Sequence, residues 1–162
     1  MRVFMGRPIT REDIRHPFHW LALGFGAGLA KKAPGTWGSV VGAILFAPAM
    51  LLPLWCYALL LLVAAVAGIY ICDKTARDWG VGDHGAIVWD EVAGMGIALF
   101  ALPLTIGSVV MAFAAFRLFD IWKPWPVGAL DRSLRGGFGI MMDDLAAGVL
   151  AALLCHFVFW VL

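Results

Sequence analysis

Charged residues and long apolar runs are sharply separated along this chain. No charged residue occurs from Ala33 to Cys72, from Val92 to Phe116, or from Leu145 to Leu162. Runs of this length predict membrane-embedded helices, since one crossing needs about 20 apolar residues. The first run is too long for one crossing and carries Pro48 and Pro53 in its middle, so it predicts a helical hairpin turning near Pro53. The second either crosses once as a tilted helix or turns at the Leu-Pro-Leu-Thr-Ile-Gly stretch starting at Leu102 and returns. The third predicts a C-terminal span. His19 to Ala30 is Gly-rich, apolar and too short to span, and reads as an interfacial or re-entrant helix.

The second run decides what chemistry is open to the chain. A single crossing there places the polar segments 73–91 and 117–144 on opposite sides of a bilayer, where their acidic residues never meet. A hairpin places both on one side, and all 12 Lys and Arg then share it, which the positive-inside rule makes cytoplasmic. In the hairpin, 86–102 and 104–122 must recruit their charged ends to be long enough. Asp90, Glu91, Arg117 and Asp120 then lie just inside the membrane boundary. Ionisable groups at that depth are costly and usually face a bundle interior or a cavity; the alternative is a ring of interfacial charges that sets helix depth. The fold expected is an all-α, polytopic membrane helical bundle of about five spans, two hairpins plus a C-terminal span, with an interfacial N-terminal helix, in one domain over 1–162. Gly94, Gly96 and the Ala146-Ala147-Gly148 group supply small faces for close helix approach.

Composition agrees. Of 162 residues 62% are apolar and mean hydropathy is +0.89, outside the range of ordinary soluble domains. A net charge of +1 without a run of Lys and Arg gives no track for nucleic acid. Cys56, Cys72 and Cys155 sit singly in apolar stretches and read as small buried hydrophobes rather than a disulfide or zinc framework. The N-terminus carries Arg2, Arg7, Arg11 and Arg15 but no apolar core with a cleavage site, so it is expected to remain in the mature protein.

Four polar blocks fall on the inferred cytoplasmic side. In PGTWGS, Pro34 to Ser39, Gly35 and Gly38 permit a tight turn. Thr36 and Ser39 can cap a helix whose free amides attract phosphate, as in any capped helix start. In DHGAIVWDE, Asp83, Asp90 and Glu91 gather at a helix start. Asp90 and Glu91 are about 100° apart around the axis, so they flank a cavity without pointing to one spot, and oxygen ligands in this number suit Mg²⁺. His84 reads as a loop histidine. In RLFDIWKPWP, three-residue steps put Arg117, Asp120 and Lys123 on one slowly rotating face before Pro124 ends the helix. Arg117 and Lys123 suit phosphate oxygens, and Asp120 can hold one of them in place; pairing with Asp120 explains Arg117 more readily than Lys123. Trp122 and Trp125 fit a headgroup-level aromatic belt. In GFGIMMDD, a glycine turn precedes Asp143 and Asp144, with Asp131 just upstream. Two acidic pairs at two helix starts could together neutralise one or two divalent cations bridging a phosphate.

Taken together the blocks resemble the phosphatidylglycerophosphatase A family. The resemblance runs from HWLALGFGAGL through PGTWGS, VGDHGAIVWDEVAGM and FRLFDIWKPWP to GGFGIMMDDLAAG. It implies Mg²⁺-dependent hydrolysis of phosphatidylglycerol phosphate, a phospholipid substrate in the bilayer, to phosphatidylglycerol and phosphate at a bacterial inner membrane; the distribution of Lys and Arg, given two hairpins, turns the site to the cytoplasm. The chain has no Cys-x5-Arg, D-x-D or Ser-Gly-His signature of other phosphatases. Water activated at the ion is therefore the expected nucleophile. Asp83, Asp90, Glu91, Asp143 and Asp144 are the expected ligands and acid–base groups, and Arg117, Lys123, Thr36 and Ser39 the substrate contacts. Two alternatives stay open. One is a phosphatase for another lipid phosphomonoester such as phosphatidic acid. The other is a non-enzymatic cation-binding membrane module, although its conduit would need polar groups near the bilayer midplane.

Overall fold

The computed structural model describes Ile9, Ile14 and residues 16–161; Arg2, Arg7, Arg11 and Arg15, and with them the expectation of an uncleaved N-terminus, lie outside the described residues. Among the described residues seven helices follow in order: α1 Pro17–Ala22, α2 Pro34–Ala49, α3 Leu54–Asp78, α4 Trp89–Ala98, α5 Ile106–Trp122, α6 Val127–Ser133 and α7 Gly136–Val161, with a 3₁₀ turn at Ala27–Leu29. No strand occurs among the described residues.

Local chemistry accounts for the boundaries. Pro17 and Pro34 open α1 and α2, where a missing N–H is harmless. The α2–α3 hairpin turns at residues 50–53, with Pro53 as the N-cap of α3. Thr105 caps α5 by accepting from the Ser108 amide at 3.1 Å, so the second apolar run turns at Leu102–Thr105 and returns. Helices α3 and α7 are long and apolar enough to cross a membrane, with mean hydropathies of 2.3 and 2.0. Their outer faces expose Leu59, Leu62, Val63, Val66, Leu153 and Phe157, apolar side chains suited to lipid rather than water.

The expected span over 86–102 is corrected. Its helix covers only Trp89–Ala98, 10 residues, or about 15 Å. The residues before it are held out of the helix, since the Val88 amide donates to the Ala22 carbonyl at 2.8 Å and the Ala86 amide to His84 Nδ1 at 3.2 Å. This short helix is central, packed against α2, α3, α5 and α7. The small faces work as expected. A Cβ at Gly148 would strike the Gly94 carbonyl, and one at Gly94 would lie 2.7 Å from the Asp144 carbonyl and against the Phe116 ring. Thus α4 and α7 pack backbone on backbone. Around them Phe46, Val92, Met95, Leu99, Phe116 and Ala147 form the core. The Tyr57 hydroxyl donates to the Gly96 carbonyl at 2.8 Å. His156 Nε2 donates to the Phe100 carbonyl at 2.9 Å beyond the end of α4.

The expected interfacial helix at His19–Ala30 is two pieces, α1 and the 3₁₀ turn, joined by Gly24, Phe25 and Gly26, all at positive φ. Cys72 and Cys155 are buried and Cys56 is half-buried; all three are free. Most important for function, the C-terminal end of α3, the start of α4, the end of α5 and the first turns of α7 lie at one end of the bundle. The hairpin arrangement of the second run therefore brings segments 73–91 and 117–144 together.

Candidate active site

The centre is built on the first turn of α4. Trp89 is fixed by a hydrogen bond from Nε1 to the Ala64 carbonyl in α3 at 3.1 Å and by the edge of Phe25, ring centroids 6.3 Å apart. Asp90 and Glu91 follow at once, and Asp144 reaches them from α7. One carboxylate oxygen from each of the three lies within 4.8 Å of the others. The expectation that Asp90 and Glu91 point to different spots is corrected: they are adjacent on α4, yet both reach a common point. Asp90 and Asp144 are only 8% and 3% exposed. Asp90 Oδ1 and Glu91 Oε2 are buried without a hydrogen-bond partner among the described residues. Orphaned buried carboxylate oxygens are rare because their desolvation is costly, and a cation is the group that would satisfy them. The separation suits this, since oxygens on opposite sides of one ion stand about 4 Å apart on Mg²⁺ and about 5 Å on a larger cation.

Beside the trio lie two cations. Arg117 pairs with Asp120 one turn on, points NH1 at Ser39 Oγ at 3.5 Å, and keeps Nε buried without a partner among the described residues. Lys123, left-handed at the C-cap of α5, donates to Asp131 Oδ1 at 2.8 Å and Asp143 Oδ2 at 2.5 Å. Burial works against its charge, but the hydrogen bonds to Asp131 and Asp143 outweigh it and hold its pKa above the usual lysine value. Lys123 thus has carboxylate partners that its sequence neighbourhood did not show, and Asp143 belongs with Lys123 rather than with the trio. Asp83 is exposed in the loop before α4. It is not one of the three converging carboxylates.

The PGTWGS block does not form the expected turn or caps. α2 begins at Pro34 after Ala33, which is left-handed at φ 48°, and no side chain caps it. Thr36, half-buried, and Ser39, buried, lie inside the helix, and Ser39 Oγ donates back to the Gly35 carbonyl at 2.9 Å. The glycines serve close approach instead. A Cβ at Gly35 would collide with Glu91 Oε1 and lie 3.4 Å from Arg117 NH1, and one at Gly38 would press on Val88. The fourth block is also corrected. α7 starts at Gly136, so Asp143 and Asp144 lie two turns inside it rather than at its mouth. Asp73 of α3 holds that start by accepting from the Gly137 amide at 3.0 Å. Nothing local in the sequence marks this contact. His84 sits half-buried in its loop, edge-on to Trp79.

A helical bundle with membrane-length apolar helices and a buried carboxylate trio flanked by Arg117 and Lys123 at one end defines a membrane-associated protein with a buried acidic centre. Residues 20–159 match the family described as Phosphatidylglycerophosphatase A. The chain is 45% identical over 150 residues to Phosphatidylglycerophosphatase A of Escherichia coli (strain K12), covering 92% of this chain and 87% of that protein. It is 44% identical over 160 residues to the protein of that name from Haemophilus influenzae, covering 96% and 97%. A Bacteroides thetaiotaomicron protein provisionally described as a phosphatidylinositol-3-phosphatase is 39% identical over 150 residues, covering 88% and 93%. No solved structure matches. The chain belongs to the phosphatidylglycerophosphatase A family.

Proposed function

We propose that this protein is a phosphoric monoester hydrolase that converts phosphatidylglycerol phosphate to phosphatidylglycerol and phosphate at the cytoplasmic face of a bacterial inner membrane. The observation that carries the reading is the convergence of Asp90, Glu91 and Asp144 beside Arg117 and Lys123, in a chain whose family acts on that lipid. Asp90, Glu91 and Asp144 would hold Mg²⁺, which when bound neutralises phosphate charge and activates water for hydrolysis. Arg117 is braced by Asp120 and Ser39 and presents its guanidinium to phosphate oxygens; Lys123, steadied by Asp131 and Asp143, adds a second positive group. In the reaction the water oxygen forms a new bond to phosphorus, the terminal ester P–O bond breaks, and the leaving glycerol oxygen takes up a proton.

Membrane placement supports the same reading. Exposed Trp37, Trp122 and Trp125 belong to the end that carries the site, while exposed Trp55 and Trp160 belong to the far end. From Asp143 to Trp160 along α7 is about 26 Å, close to the ~30 Å hydrocarbon thickness. Two hairpins and a C-terminal span then set every described Lys and Arg on the side of the site, the cytoplasmic side by the positive-inside rule. The short α4 descends only part of the way, buried among the other helices where non-spanning segments are tolerated.

The Bacteroides relative favours one competing reading, a phosphatase for another lipid phosphomonoester. Phosphate release by purified protein from phosphatidylglycerol phosphate, phosphatidic acid and phosphatidylinositol 3-phosphate in mixed micelles separates them. The first is expected to give the highest kcat/KM; faster hydrolysis of either other lipid would replace the assignment.

A further inference from the structure

The segment before α2 does more than cover the bundle. His19 Nε2 meets Asp78 Oδ2 at 3.0 Å, tying α1 to α3. From this anchor the segment grips the loop that leads into the carboxylate trio. The Ala22 carbonyl accepts from the Val88 amide at 2.8 Å. Gly24 and Gly28 lie so close that a Cβ on the first would stand 2.9 Å from Val88 Cγ2 and one on the second would strike the Ala86 carbonyl. Phe25, forced to φ 57°, lays one edge on Trp89.

The outer face of the same segment has different chemistry. Trp20, Phe25 and Leu29 are 42%, 55% and 43% exposed, and exposed Lys31 and Lys32 follow directly. No Asp or Glu occurs between Ile14 and Cys72. A segment with exposed apolar side chains, two exposed lysines at its end and no Asp or Glu of its own complements anionic lipid headgroups over acyl chains.

We propose that residues 17–32 are a docking element for anionic lipid whose seating on the bilayer holds the 84–88 loop, and with it Asp90 and Glu91, in the reactive arrangement. This rests on the membrane placement given under Proposed function. Docking draws on the two lysines, each shifting the docked population roughly fivefold on an anionic surface. The loop then exchanges its amide hydrogens more slowly when anionic lipid is present.

Hydrogen exchange by mass spectrometry tests this without substrate, using the full chain in nanodiscs of phosphatidylcholine alone or with phosphatidylserine. Exchange at residues 84–92 is expected to slow several-fold with phosphatidylserine, and the dependence to vanish in a Lys31→Gln/Lys32→Gln variant. Unchanged exchange across 145–155 shows that the variant keeps its fold. A wild-type loop indifferent to phosphatidylserine, or a double variant that responds as the wild type does, would overturn the proposal. Phosphatase activity in the same discs is read separately. Its absence in both lipids would refute the functional assignment, and the exchange result would still decide the docking.

Discussion

Gly35→Ala is expected to leave the bundle folded while disabling the reaction. The three nearest neighbours of the added Cβ are all side-chain atoms: Oε1 of Glu91, the far end of a flexible side chain, then Glu91 Cδ at 3.1 Å and Arg117 NH1 at 3.4 Å. Folding therefore loses little, and alanine in place of glycine within α2 contributes up to about 1 kcal/mol of helix propensity. The carboxylate, however, must retreat by more than about 1 Å to reach ordinary van der Waals contact, and a displacement of that size at a reacting centre costs on the order of 10²-fold in rate. By transition-state arithmetic that is about 2.7 kcal/mol. Phosphate release from phosphatidylglycerol phosphate in detergent, measured beside thermal unfolding, reads both quantities. Gly82→Ala is the control, since nothing lies within 4 Å of its new Cβ. Activity of Gly35→Ala within about twofold of wild type, or a loss that only tracks the folded fraction, would show that the position of Glu91 does not control the rate.

Two further substitutions separate the roles of charged groups. Asp144→Asn removes one of three converging carboxylates and is expected to lower kcat by about 10²-fold or more and to weaken Mg²⁺ binding in a calorimetric titration. Asp83→Asn, outside the trio, should change either quantity far less, and equal losses in the two variants would count against the assignment. Lys123→Met leaves Asp131 and Asp143 facing each other without their shared cation. Because Lys123 is 33% exposed at its side chain, the loss should fall below that of a fully buried pair, about 1–2 kcal/mol. It should appear as a lowered unfolding temperature, and an unchanged one would contradict the pairing.

The parts of this fold that were legible in the sequence are those set by charge and by chain punctuation. Charge-free runs broken at Pro53 and at Leu102–Gly107 marked two hairpins, because ionisable groups and proline are both expensive inside an apolar helix. The length of α4 was not legible. Its start is set by the Ala22–Val88 hydrogen bond and by glycines of the 24–28 segment, contacts made by residues some 60 positions upstream. For the site, the residue types were readable and their grouping was not. Asp143 and Asp144 are neighbours on one helix, and a step of about 100° sends one to Lys123 and the other to Glu91; only the packing of α7 on α4 decides which. The glycines of PGTWGS suggested a turn, yet they permit close helix approach, since a small residue serves either purpose.

On the proposed function, three carboxylates on two helices hold a divalent cation for phosphomonoester hydrolysis. Phosphate release from phosphatidylglycerol phosphate by the purified protein, measured before EDTA, after EDTA and after Mg²⁺ is restored, tests it most directly. Activity should disappear with the chelator and return with Mg²⁺ in the wild-type protein, with no such recovery in Asp144→Asn. Activity that persists undiminished in EDTA would rule out a divalent cation at the trio.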